Sequence, residues 1–176
     1  MWFKILINSI TIAALSLVQI SFISSLPFPA NKLNLVLAAL IFSLSLSGKI
    51  KNIWFYVLAG LIFDMFFVPP VKIFILAWPL TFLFCRLLLR NVFTNRSLFS
   101  FLAICLFTDI FYIFFIKTSF YIYGFFSSGS RLFILSLDFW NDMLFRITVD
   151  FLLVLVLFYI FNFISKRLKP VFILRY

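Results

Sequence analysis

The sequence predicts an all-α protein, a polytopic membrane bundle of about six transmembrane helices with both termini cytoplasmic. Three observations predict it. The 176-residue chain is 65% hydrophobic and 22% aromatic, with a mean hydropathy of +1.21. Ordinary globular chains are about half apolar and have no way to bury that much more apolar surface. Runs such as 5–26 and 97–116 reach the ~20 residues needed to cross a hydrocarbon core of roughly 30 Å. The 15 Lys and Arg sit mostly at the ends of apolar runs, which is how membrane topology is written.

The first span is 5–26. Lys4 followed by an apolar run resembles a signal peptide, but the run outlasts a cleaved h-region and no small-x-small site follows cleanly. It therefore reads as an uncleaved helix. PFPANK separates it from a second span, 33–47, and GKIKN leads into a third, 53–68. Both are short, so they extend into their loops or thin the bilayer locally. The fourth span, 71–89, lies between VPPVK and RNVFTNR and contains Pro79, a residue able to interrupt it. The fifth and sixth spans are 97–116 and 142–165.

Residues 117–141, KTSFYIYGFFSSGSRLFILSLDFWN, form the one long connection. The stretch is apolar enough for a seventh span. Gly124, Ser127, Ser128, Gly129, Ser130 and Arg131 interrupt it, and Tyr121, Tyr123 and Trp140 suit the headgroup level. It reads as an interfacial or partly re-entrant segment on the outer face. Residues 1–176 thus form a single transmembrane domain.

Orientation follows from the cations. Lys4, Lys49, Lys51, Arg86, Arg90, Arg96, Lys166, Arg167, Lys169 and Arg175 fall on the side shared by the termini, ten in all. Lys32, Lys72, Lys117 and Arg131 fall on the other, and Arg146 lies inside the last span. The richer side is cytoplasmic by the positive-inside rule. The same scattering argues against nucleic acid as a partner despite the formal charge of +10. Membrane lipid is the expected surrounding.

Metal and cofactor chemistry finds few donors. His and Glu are absent, which removes the usual zinc arrangements. Cys85 and Cys105 lie within apolar runs and read as small core residues. No cofactor or metal site is expected.

The intramembrane polar residues are the candidates for function. Asp64 falls roughly 20 Å along its helix from Lys51, and Asp109 about 18 Å from the start of its span, at the helical rise per residue. Both therefore lie in the outer half, where Gln19 also falls. Asp138, Asp142, Arg146 and Asp150 are each four residues from the next, so a continuous helix places them along one face. One reading pairs Arg146 with Asp142 and Asp150 on its own helix, because a buried Arg needs a carboxylate. Asp64 and Asp109 then either share Arg146 across helices or include one neutral carboxyl. Such residues mark a functional site or interhelical hydrogen bonds that fix the bundle.

Three classes of function compete. An enzyme lacks placed chemistry: no protease motif surrounds Asp64 and Asp109, and SSGS at 127–130 has no His to serve it. A small-solute transporter or substrate-capture subunit would use an outward-facing acidic pocket. The third class is a membrane scaffold, and the order of motifs favours it. LSLVQISFISSLPFP, an apolar second span, and YVLAGLIFDMFFVPPVKIFILAWPLTFLFCRLLLRN resemble the MreD family of rod-shape-determining membrane proteins. The resemblance rests on Gln19, Pro27 or Pro29, Gly60–Leu61 with Asp64, and Arg86 with Arg90, and LFYIFNFISKRLKP is also similar. The usual Gly-containing turn is here FFVPPVK, and residues 117–141 align with nothing in the family.

The resemblance implies a non-catalytic role in bacterial cell shape: scaffolding lateral peptidoglycan synthesis in the cytoplasmic (inner) membrane. The partners it implies are an MreC-like bitopic membrane protein and the cell-wall elongation proteins. Its likeness in fold to vitamin-capture subunits of energy-coupling transporters keeps solute capture open. Ala59 and Gly60 are the expected small residues for close helix packing on the third span.

Overall fold

The computed structural model describes residues 2–47, 52–66, 72–93, 97–128 and 137–172. All regular structure among them is helical. The order is α1 (Trp2–Ser21), two short 3-10 turns (Ile23–Ser25 and Ala30–Lys32), α2 (Leu35–Ser47), α3 (Ile53–Phe66), α4 (Phe74–Asn91), α5 (Leu98–Ser128) and α6 (Leu137–Phe172). Four apolar stretches are long enough to cross a membrane: Leu6–Ser25, Phe74–Asn91, Leu98–Gly124 and Trp140–Phe163. The apolar parts of α2 and α3 are shorter.

The shortness of α2 has a packing reason. It touches α1, α4, α5 and α6, and Val36, Leu37, Ala38, Leu40, Ile41 and Leu44 are all buried. A helix apolar on every side belongs inside the bundle rather than at its surface. Around it α3 packs on α1 and α4, and α5 packs on α4 and α6. Aromatic contacts tie α3, α4 and α5 together: Tyr56–Phe82 at 5.3 Å, Phe63–Trp78 at 5.5 Å and Trp78–Tyr112 at 4.9 Å between centroids. Each such pair adds about 0.5–1.5 kcal/mol beyond area burial. Cys85 and Cys105 are buried, free thiols in this core.

The helices depart from the expected spans mainly in the second half. The fifth helix does not stop at 116 but continues through Gly124 to Ser128, and α6 starts at Leu137 rather than 142. Much of the segment 117–141 is therefore helical. An interior Gly costs only about 1 kcal/mol against Ala, too little to end a helix whose other residues are apolar. The Ser119 hydroxyl bonds back to the Phe115 carbonyl at 2.8 Å and is satisfied within the helix. Pro79 likewise sits inside α4 without ending it. Gly129, Ser130, Arg131, residues 67–71, and the cations Lys49, Lys51, Arg96 and Arg175 lie outside the described residues, as does the side chain of Asp138.

Candidate functional site

Asp64 and Gly60 lie one turn apart on α3, so they share a face, and that face meets the start of α4. The opening N–H groups of a helix have no partner within it, and burying them unbonded costs free energy. The N-cap of α4 is Ile73, whose side chain accepts nothing. Asp64 supplies the cap from the neighbouring helix instead. The Phe74 N–H donates to its Oδ1 at 3.1 Å and the Ile75 N–H donates to Oδ2 at 2.7 Å. The carboxylate also meets the positive end of the helix dipole. Gly60 makes this approach possible, because a Cβ there would lie 2.5 Å from the Phe74 carbonyl oxygen. Ala59, beside it, is fully buried.

This geometry separates two substitutions at Asp64. Asp64→Asn keeps one side-chain acceptor for the N–H pair, whereas Asp64→Leu leaves both donors unmet. An intramembrane hydrogen bond is worth roughly 0.6 kcal/mol on average and up to ~1.7. Unfolding of purified variants in mixed micelles is expected to show Asn milder than Leu. Equal, complete loss of function in both at normal protein levels would instead show that the charge itself is required.

The start of α2 is capped by the same logic from three directions. Asn34 is its N-cap, and the Leu37 N–H donates to the Asn34 Oδ1 at 3.2 Å. Gln19 on α1 uses both ends of its amide: Nε2 donates to the Leu33 carbonyl at 2.5 Å and Oε1 accepts from the Leu35 N–H at 2.8 Å. The Asn34 N–H donates to Asp150 Oδ1 on α6 at 2.6 Å. Gln19 on α1 and Asp150 on α6 thus both fix the entry into the central helix.

Arg146 lies one turn before Asp150, with Nε 4.0 Å from Asp150 Oδ2. Its guanidinium carbon stands 5.0 Å from the centre of the Tyr112 ring on α5, a cation–π arrangement. Asp109 on α5 is fully buried and interacts with both Asp150 and Arg146. The Cys105 thiol donates to Asp109 Oδ2 at 3.5 Å. Asp142 points elsewhere and forms a 3.0 Å ion pair with Lys32. Gln19, Asp109, Arg146 and Asp150 are therefore brought together around the start of α2. Asp142 lies at the edge of that group, and Asp64 serves the neighbouring helix start. Sequence reasoning placed none of Asn31, Asn34 and Tyr112 at a site, and it used Lys32 only for orientation. An Asn directly before the apolar run LVLAAL is a helix-start signal that marks Asn34.

Between these two helix starts lies a cavity of about 220 Å³. Lys32, Asn31, Asn34, Tyr112 and Arg146 give it a polar wall, and Phe63, Phe74 and Ile116 an apolar one. The two cations in its lining each have an aspartate beside them, Asp142 at 3.0 Å from Lys32 and Asp150 at 4.0 Å from Arg146. No family model, curated protein or solved structure matches this chain.

Proposed function

We propose that this chain is a non-catalytic scaffold of the bacterial elongation machinery, seated in the cytoplasmic membrane with both termini inside. The observation that carries the proposal is the use of its polar residues. Asp64, Gln19 and Asp150 bond to the starts of α4 and α2, so two of the intramembrane carboxylates hold the bundle in shape. The Gly60-to-Asp64 element, on which the resemblance to the MreD family rests, is the one that locks α3 to α4. A protein built this way acts through helix faces and short connections, and a single-span partner with a large outer domain suits that surface.

Two measurements test the proposal. Reporter fusions after Arg175 and within 127–131 are expected to report opposite sides of the membrane; the same side for both rules out the topology. Depletion in the source bacterium is expected to change cell width, and the tagged protein is expected to co-purify with the single-span partner. Unchanged shape together with lost uptake of a small molecule would favour the second reading, solute capture, which the cavity supports.

A further inference from the structure

We infer that the outward face of α4, near its C-terminal end, holds one anionic phospholipid, with the phosphodiester on Arg86 and Arg90 and an acyl chain along the leucines that lead up to them. A groove of about 410 Å³ opens there, lined by Leu83, Arg86, Leu87, Arg90 and Asn91. The two arginines are one helical turn apart, about 6 Å along the axis. Residues at that spacing are neighbours on the helix surface, so both guanidinium groups can reach one anion.

Charge decides the class of ligand. The chain has five acidic residues, all aspartate. Asp64 is bonded to the start of α4, Asp142 and Asp150 to Lys32 and Asn34, and Asp109 is fully buried. Among the described residues, neither the Arg86 nor the Arg90 side chain has an ion pair or a hydrogen bond. Like charges one turn apart repel, and a phosphate between them relieves the repulsion. The helix dipole accounts for Arg90, which lies in the last turn, but its effect falls off within that turn and leaves Arg86 without a countercharge. A guanidinium fork matches phosphate oxygens in paired hydrogen bonds. The groove lining holds no carboxylate to receive a headgroup ammonium. A lipid whose headgroup carries no cation, such as phosphatidylglycerol, therefore fits better than phosphatidylethanolamine.

The apolar part of the face sets the rest of the ligand. Leu76, Leu80, Leu83 and Leu87 are all exposed, and their spacing keeps them on one side of the helix. From Leu76 to Leu87 is about 16 Å, close to half of a hydrocarbon core of roughly 30 Å, the depth of one leaflet. The groove has room for roughly fourteen waters, enough for a glycerophosphate group and the upper ends of its chains. Free phosphate would leave the leucines uncovered, whereas an acyl chain covers them.

The test uses the full chain in detergent micelles, titrated with phosphatidylglycerol or phosphatidylethanolamine of identical acyl chains and read by native mass spectrometry. One phosphatidylglycerol is expected to be held about tenfold tighter than phosphatidylethanolamine. Arg86→Gln with Arg90→Gln is expected to bring the two lipids within about twofold of each other. Lys72→Gln, which removes an exposed cation just before α4, is expected to leave the preference unchanged. Photocrosslinking of the unaltered protein by a phosphatidylglycerol with a diazirine at the top of one acyl chain locates the site independently of the variants. Label in 83–91 that excess phosphatidylglycerol competes away supports the proposal. Equal retention of the two lipids or an undiminished preference in the double variant would overturn it. So would the absence of label in 83–91, the result expected where a second copy or an acidic protein segment covers that face. These readouts need neither cells nor a partner protein, so failure here leaves the scaffold proposal standing.

Discussion

Replacing Gly60 by leucine is expected to force α3 away from α4 and to destabilise the bundle more than any single polar substitution on α3. A Cβ at this position would lie 2.5 Å from the Phe74 carbonyl oxygen, 2.7 Å from the Ile75 Cα and 2.9 Å from the Phe74 carbonyl carbon. All three are backbone atoms at a helix start, so no side chain can swing aside. Relief requires the two helices to separate, and separation stretches the bonds from Phe74 and Ile75 to Asp64. Overpacking costs about 1–3 kcal/mol, occasionally more, and the Asp64 bonds add to it. Alanine's better helix propensity returns only about 1 kcal/mol, so even Gly60→Ala is expected to lose stability, by about 1–2 kcal/mol. Denaturant titration in mixed micelles reads both variants. An unchanged or higher midpoint for Gly60→Ala would show that the helices are not held at this distance.

The close approach at Gly60 also shows what a sequence can and cannot disclose. Small residues at 59 and 60 within an apolar run are visible signs of tight packing, and a carboxylate one turn later is conspicuous because buried charge is expensive. The partner of Asp64 was not visible. It is the main chain of Phe74 and Ile75, and backbone donors carry no residue signature. The same holds for Asp150, whose nearest bond is to the Asn34 N–H, although its helical spacing to Arg146 was plain. Asp142 has that spacing too, yet it faces Lys32, whose side chain is 110 residues earlier in the chain. The long helices were legible from length and apolarity. The course of 117–128 was not, because Gly124 and its serine neighbours are turn formers whose individual costs a long apolar helix absorbs.

Among the polar residues, Asp150→Leu is expected to have the largest effect. The Asp150 side chain is 2% exposed and performs two tasks: it accepts the Asn34 N–H at 2.6 Å, and it balances Arg146 on its own helix. Removing one member of a buried ion pair costs about 3–5 kcal/mol, chiefly because the other charge is left uncompensated. The Arg146 side chain keeps 26% of its surface accessible, so its charge is not fully stranded, which places the expected loss near the lower end, about 3 kcal/mol. Asp150→Asn keeps an acceptor for the Asn34 N–H and removes the charge, so its loss is expected to be smaller. The double variant Arg146→Met with Asp150→Leu removes both charges, and an apolar replacement of a buried pair is often neutral or better. It still leaves the Asn34 N–H without an acceptor, at about 1–3 kcal/mol. The double variant is therefore expected to recover stability relative to Asp150→Leu alone without reaching the parent. A double-mutant cycle on unfolding midpoints gives the coupling directly. Coupling within about 0.5 kcal/mol of zero, with Asp150→Asn fully stable, would show that Asp150 caps α2 and has no hold on Arg146.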